Sequence, residues 1–156
     1  MLYQSPQKIP PILPRPGIFI AGGISDCPDW QQEIISLIDT KLYDVINPRR
    51  VAAFSKLGLE AEEQITWEYT ALNEVDNCIF WFPKNTVCPI ALFELGKMIE
   101  RAEHHTIRLA IGWDENYQRA LDLKIQIGLI KNVEKYIIHA KPGWKELCAV
   151  VSKVWG

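Results

Sequence analysis

From Gly17 onward, short runs of apolar residues alternate with stretches in which apolar positions recur every three or four residues. The first run, Gly17-Ile18-Phe19-Ile20-Ala21, has the length of a strand and stops at Gly22-Gly23. Trp30, Ile34, Leu37 and Ile38 then share one helical face, in a helix opening at Pro28 under a Ser25 or Asp26 cap. Tyr43 to Asn47 predicts a second strand and Pro48 to Gly58 a loop. A helix follows from Leu59 to Val75, with Ala61, Ile65, Leu72 and Val75 as its inward stripe. Cys78-Ile79-Phe80-Trp81-Phe82 is apolar without a break, the mark of a central strand covered on both faces. A helix from Pro89 to Glu103, a strand from Ile107 to Ile111 and a helix from Tyr117 to Ile130 continue the pattern. A strand from Lys135 to His139 and a helix from Trp144 to Val154 close it. Such alternation predicts an α/β sandwich of three layers, with helices on both sides of a five-stranded, mainly parallel sheet.

Residues 1–16 break the pattern, holding Pro6, Pro10, Pro11, Pro14 and Pro16. Proline favours extended polyproline II and cannot join a sheet interior. This stretch is expected to form a proline-rich arm over the surface, of this chain or of a partner subunit, ahead of one domain spanning 17–156. A chain of 156 residues is the size of one domain.

Within that frame Glu94 is the residue that needs explaining. It is the only charged side chain between Lys84 and Lys97. With Pro89 at the first helical position, Glu94 falls past the turn where a carboxylate merely complements the helix dipole. A carboxylate on so apolar a helix must be paired, protonated or functional. Glu68 is the second anomaly, since it interrupts the inward stripe of the preceding helix. Alone, each acid has a plain reading: Glu94 answered by Arg49, Arg50 or a backbone amide, Glu68 leaning out beside Tyr69. Together they flank one central strand. Two carboxylates in a dry cleft suit chemistry at an acetal-like carbon, one attacking the anomeric centre while the other manages protons.

Ligands of open parallel sheets bind beyond the carboxyl ends of the strands, which directs attention to four loops. Gly22–Asp26 is flexible but lacks GxGxxG, so a dinucleotide is not expected. Pro48–Gly58 holds Arg49, Arg50 and Lys56, which would meet a phosphate or carboxylate, or simply solvent. Pro83–Pro89 leads into the Glu94 helix. Gly112–Asn116 carries Trp113 and Asn116, an aromatic and a polar side chain suited to a planar ligand. His104 and His105 read as structural, His139 as an exposed strand end, and no serine has a nucleophile-elbow context.

The totals narrow the classes further. A net charge of −2 gives no pull toward nucleic acid or anionic membrane, and no apolar run approaches the length of about 20 residues that a membrane span requires. The leading residues lack the basic-then-apolar order of a signal peptide. Cys27, Cys78, Cys88 and Cys148 form no CxxC pair. The expectation is a cytoplasmic protein with free thiols, no structural metal and no cofactor.

Three short motifs then stand in a telling order. A strand ends in Ala21-Gly22-Gly23; Trp67-Glu68 and Leu72 lead to Asp76; and Phe93-Glu94-Leu95-Gly96 follows, with an 18-residue step from Asp76 to Glu94. Over roughly residues 17–130 this resembles the nucleoside 2-deoxyribosyltransferase superfamily, its transferase-like branch above all. The resemblance implies a flavodoxin-like or Rossmann-like sheet and cleavage of the N-glycosidic bond of a 2-deoxynucleoside or its 5′-monophosphate. It implies Glu94 as the nucleophile that carries a deoxyribosyl ester, Glu68 as the assisting acid and Asp76 as a positioning acid. The sugar then passes to another base or to water. Two departures stand out: Phe19 where tyrosine is usual, and Cys88 where Asp or Ser is usual. These favour an alternative, a nucleotide-binding or sensing module without turnover. The resemblance also implies a homo-oligomer whose sites are shared, with Asn116 as the candidate residue supplied by a neighbour.

Overall fold

The computed structural model describes residues 1–51, 58–131 and 133–156. Its elements are β1 (Leu2–Gln4), β2 (Gly17–Gly22), α1 (Trp30–Ser36), β3 (Asp44–Asn47), α2 (Leu59–Glu74) and β4 (Asn77–Phe82). They continue with α3 (Pro89–Glu103), β5 (Arg108–Trp113), α4 (Ala120–Leu129), β6 (Ile137–Pro142) and α5 (Trp144–Trp155). The strands form one sheet in the order β1-β3-β2-β4-β5-β6, every pair parallel. Without its edge strand β1, the order is the doubly wound 2-1-3-4-5. None of the helices in the described residues is long and apolar enough to cross a membrane.

The sheet has six strands where five were expected. The additional one comes from the stretch read as an arm. Its three residues precede the first proline, so their backbone is free to pair, and Leu2, Tyr3 and Gln4 run in register with Val45, Ile46 and Asn47. At an edge, the prolines that follow cost the ladder nothing. The pairing ends as Ser5 N donates to the Asn47 carbonyl at 3.0 Å, which carries the chain over the carboxyl end of β3. Trp67 Nε1 then fastens the segment to α2 by donating to the Gln7 carbonyl at 2.7 Å.

Side chains of the buried strands alternate between two cores. Phe19, Phe80 and Phe82 face α2, α3 and α4, meeting Leu72, Leu95, Met98 and Leu123. Ile18, Ile20 and Ile79 face α1 and α5, meeting Trp30, Ile34, Leu147 and Trp155. This period of two is what a strand covered on both faces requires. Smaller boundaries differ from the sequence pattern. Helix α1 is capped by Asp29, whose carboxylate accepts from Gln32 N at 3.4 Å, rather than by Ser25 or Asp26. Strand β6 lies two or three residues later than expected, with an irregularity opposite Leu109 and Ala110.

Two contacts set the helices that flank β4. Arg101 of α3 reaches across to the end of α2, donating to the carbonyls of Leu72 at 2.5 Å and Val75 at 3.0 Å, with the Thr106 carbonyl at 3.4 Å. The last turn of a helix leaves such carbonyls without partners, and a guanidinium answers several at once. At Gly22, φ is 144°, and a Cβ there would collide with the Trp81 carbonyl oxygen, so the strand end approaches β4 as only glycine allows. Removing the clamp in Arg101→Met should lower the unfolding free energy by about 2 kcal/mol, read as a lower urea midpoint at unchanged slope. Arg101→Lys should recover less than half of that, because one ammonium cannot reach all three carbonyls.

Candidate active site

The strand order reverses between β2 and β4, and a doubly wound sheet opens a crevice at the carboxyl end of that step. A cavity of about 440 Å³ lies beside this step, walled by the end of β2 and by the facing sides of α2 and α3. Phe19 and Ala21 form its floor, Gly22 and Gly23 one edge, and Ile65 and Ile90 its apolar sides. Helix α3 enters it through Cys88, held at a left-handed φ of 52°, with Pro89 in the first turn. That sharp entry turns Glu94 into the cavity from α3 while Glu68 enters from α2.

The two carboxyl groups define the electrostatics. Burial pushes Glu94 up to about 8; the nearby charge of Glu68 adds to the rise, and Lys97 pulls back. Burial also raises Glu68, but there a hydrogen bond from Gln64 and the charge of Arg50 oppose it. Two acids in one apolar crevice do not both ionise cheaply: raised to about 8, Glu94 keeps its proton at neutral pH, while the Gln64 donor and the charge of Arg50 favour the anion of Glu68. An acid and an anion side by side are the two forms that glycosyl transfer uses. Cys88, which also lines the cavity, is kept a neutral thiol, pushed up to about 11 by burial first and by Cys27 second.

The structure gathers Glu94, Glu68, Phe19, Gly22, Gly23 and Cys88 around this cavity. It places the other expected site residues elsewhere. Asp76 lies at the opposite, amino end of β4, where its Oδ2 accepts from Gly17 N at 3.0 Å and joins the starts of β2 and β4. Arg49 binds the start of α1 and the turn before it, donating to Gln31 Oε1 at 2.9 Å and the Pro28 carbonyl at 3.1 Å, with Asp29 at 3.4 Å. Arg50 stands behind Gln64, donating to its Oε1 at 2.7 Å and to Glu63 at 2.6 Å. Trp113 walls a separate cavity of about 520 Å³ against α4 and β6, and Asn116 is exposed on the loop after β5. Lys56 lies outside the described residues.

Sequence reasoning also missed members of the site. The inward line of α2 is Gln64, Glu68, Ala71, Leu72 and Val75; Ile65, expected inside, is 64 % exposed at the cavity mouth. A polar residue four before Glu68 was the available signal for Gln64. Nothing in the proline-rich stretch marked Ser5, whose hydroxyl donates to Gln64 Oε1 at 2.6 Å.

The geometry is that of a parallel α/β domain with an acid pair at its switch point. The chain belongs to the nucleoside 2-deoxyribosyltransferase-like family, whose model matches residues 15–110. The matched segment runs from before β2 into β5 and contains both glutamates. No curated protein matches the chain.

The raised Glu94 has a measurable consequence for stability. Its folded value of about 8 exceeds the ordinary 4.5, so between these values the folded protein holds a proton that the unfolded chain releases. Stability from this group is therefore full below about pH 4.5 and declines as pH rises toward 8. Glu94→Gln should melt several degrees above wild type at pH 8, with the two curves converging near pH 4.5. A variant that instead melts lower at pH 8 would show a paired, stabilising carboxylate.

Proposed function

We propose that the chain cleaves the N-glycosidic bond of 2-deoxynucleosides and passes the deoxyribosyl group to another base or to water. The observation that carries this reading is the pair of Glu94 and Glu68 in one cavity, where burial first and the Glu68 charge second raise Glu94 and a Gln64 N–H donates to Glu68. The reaction needs one proton, the one that Glu94 keeps. As substrate settles, it passes from Glu94 to Glu68, leaving Glu94 as carboxylate. Glu94 attacks the anomeric carbon and forms an ester as the C–N bond breaks; the departing base takes the bond electrons and the proton from Glu68. In the second half an incoming base or water gives its proton to Glu68 and displaces the ester, with net retention. Phe19 and the apolar sides would keep water from the ester and suit the face of a base.

Among the described residues, the charged side chains lining the cavity are both acids, while Arg49 is held by Gln31 and the Arg50 guanidinium by Gln64 and Glu63. This favours neutral deoxynucleosides over their 5′-monophosphates, whose phosphate the acids would repel. The exposed apolar residues beside the mouth, Ile65, Ile90 and Phe93, support a homo-oligomer that covers this rim, into which a neighbour would bring Asn116. Asp76 acts at a distance, by fixing the start of β4. Four unpaired cysteines fit work in the cytoplasm.

A second reading is favoured by Phe19 and Cys88, which line the cavity with neither a phenol nor a carboxylate where the family usually has them: a module that binds a nucleoside or nucleotide without turning it over. One experiment separates the two. Deoxynucleosides and their monophosphates are incubated with protein, with and without a second free base, and base release is followed by chromatography. The expected result is release or exchange that Glu94→Gln abolishes while ligand binding persists, with higher kcat/KM for nucleosides than for monophosphates. No turnover by wild type on any substrate that it binds would establish the sensing module instead. The pH profile of kcat/KM should be bell-shaped, since a pair with two protons or none cannot complete the exchange. Its basic limb should fall near 8.

A further inference from the structure

Gln64 lies one helical turn before Glu68 and is only 6 % exposed. A buried amide must have its edges matched, and here the partners also fix which way it points. Arg50 Nε carries a hydrogen and no lone pair, so at 2.7 Å it requires the amide oxygen. The Pro48 carbonyl only accepts, so at 2.9 Å it requires the amide nitrogen. One orientation satisfies both. The Ser5 hydroxyl, carried in by the segment after β1, donates to the same oxygen. The remaining N–H of the amide is thereby aimed at Glu68 Oε1, 2.7 Å away.

An amide N–H can only donate, so the carboxyl oxygen that it meets must accept, and this favours the anion. The charged groups acting on Glu68 are Arg50, from the segment after β3, and Glu94, from α3; Lys97 acts on Glu94 from the latter's own helix. Cys88 adds a neutral thiol. We propose that Gln64 is the positioning residue that gives the two acids unequal roles: locked by Arg50 and Ser5, its N–H holds Glu68 as the charged, proton-accepting member and leaves the shared proton on Glu94 until substrate arrives. Arg50 is then a lock on an amide, and the leading segment becomes part of the active-site framework. The catalytic half of this inference rests on the glycosyl-transfer reading; the protonation half stands without it.

The test pairs carboxyl-detected NMR titration with pH profiles of kcat/KM on a deoxynucleoside, in wild type, Gln64→Glu and Gln64→Met. Gln64→Glu keeps an acceptor toward Arg50 and Ser5 and reverses the edge facing Glu68. Gln64→Met removes that edge without adding charge. In both, the Glu68 midpoint should rise by about one pH unit or more and the Glu94 midpoint should fall. Turnover at pH 7 should drop at least about tenfold, mostly in kcat rather than KM. Midpoints that move only in Gln64→Glu report the added charge and overturn the proposal, as do midpoints unmoved in both folded variants. Should one variant fail to fold, the other's midpoints decide alone when it is Gln64→Met; otherwise Ser5→Ala is titrated beside Gln64→Glu, and unmoved midpoints in Ser5→Ala overturn the proposed lock. Midpoints that move as expected in a protein without turnover sustain the role of Gln64 and reject glycosyl transfer.

Discussion

Burial in an apolar cavity, with the nearby Glu68 carboxylate adding to it, makes the charged form of Glu94 costly enough that this side chain keeps its proton at neutral pH. The surrounding structure makes this arrangement persist. Helices α2 and α3 are held together from the far side by Arg101, whose guanidinium answers the open carbonyls at the end of α2. The left-handed turn at Cys88 and the glycine contact at Gly22 let the helix and the strand end come close enough to enclose the pair. Leu72 and Leu95 anchor the two helices in the core beside it. The cavity therefore keeps ionisation of Glu94 costly. Such a cost is the usual companion of catalytic carboxyls.

The sheet determines where this happens. Parallel strands send their connecting helices to either face, and only at the step where the order reverses do two successive connections diverge and leave a crevice. Strands β2 and β4 supply that step, and the helices leading into and out of β4 supply the acids. The cavity beside α4 and β6 lies away from the reversal, and the described residues that line it bring in one acid, Glu115.

Much of this was legible in the residues, for identifiable reasons. Strands buried on both faces read as unbroken apolar runs, and the family's segment follows that alternation closely. Glu94 was visible because an isolated charge in an apolar helix has few explanations. Glu68 was visible because it interrupts a stripe. Periodicity could not distinguish a core from a cavity wall, which is why Ile65 was placed inside and Gln64 overlooked. A three-residue edge strand has no pattern of its own; β1 exists because Val45, Ile46 and Asn47 offer it a partner some forty positions away. Arg49 and Arg50 looked like anion ligands because sequence shows charge and not its destination, and both are engaged by side chains of neighbouring segments.

The Ser5–Gln64 hydrogen bond joins a residue outside the segment common to the family with one inside it. The amide that donates to Glu68 is thus held in part from outside that segment. A relative with the same two glutamates and a different leading segment would hold its acid pair without this hydroxyl behind the amide. The two glutamates and one support of the amide beside them therefore lie in stretches of chain that can drift independently.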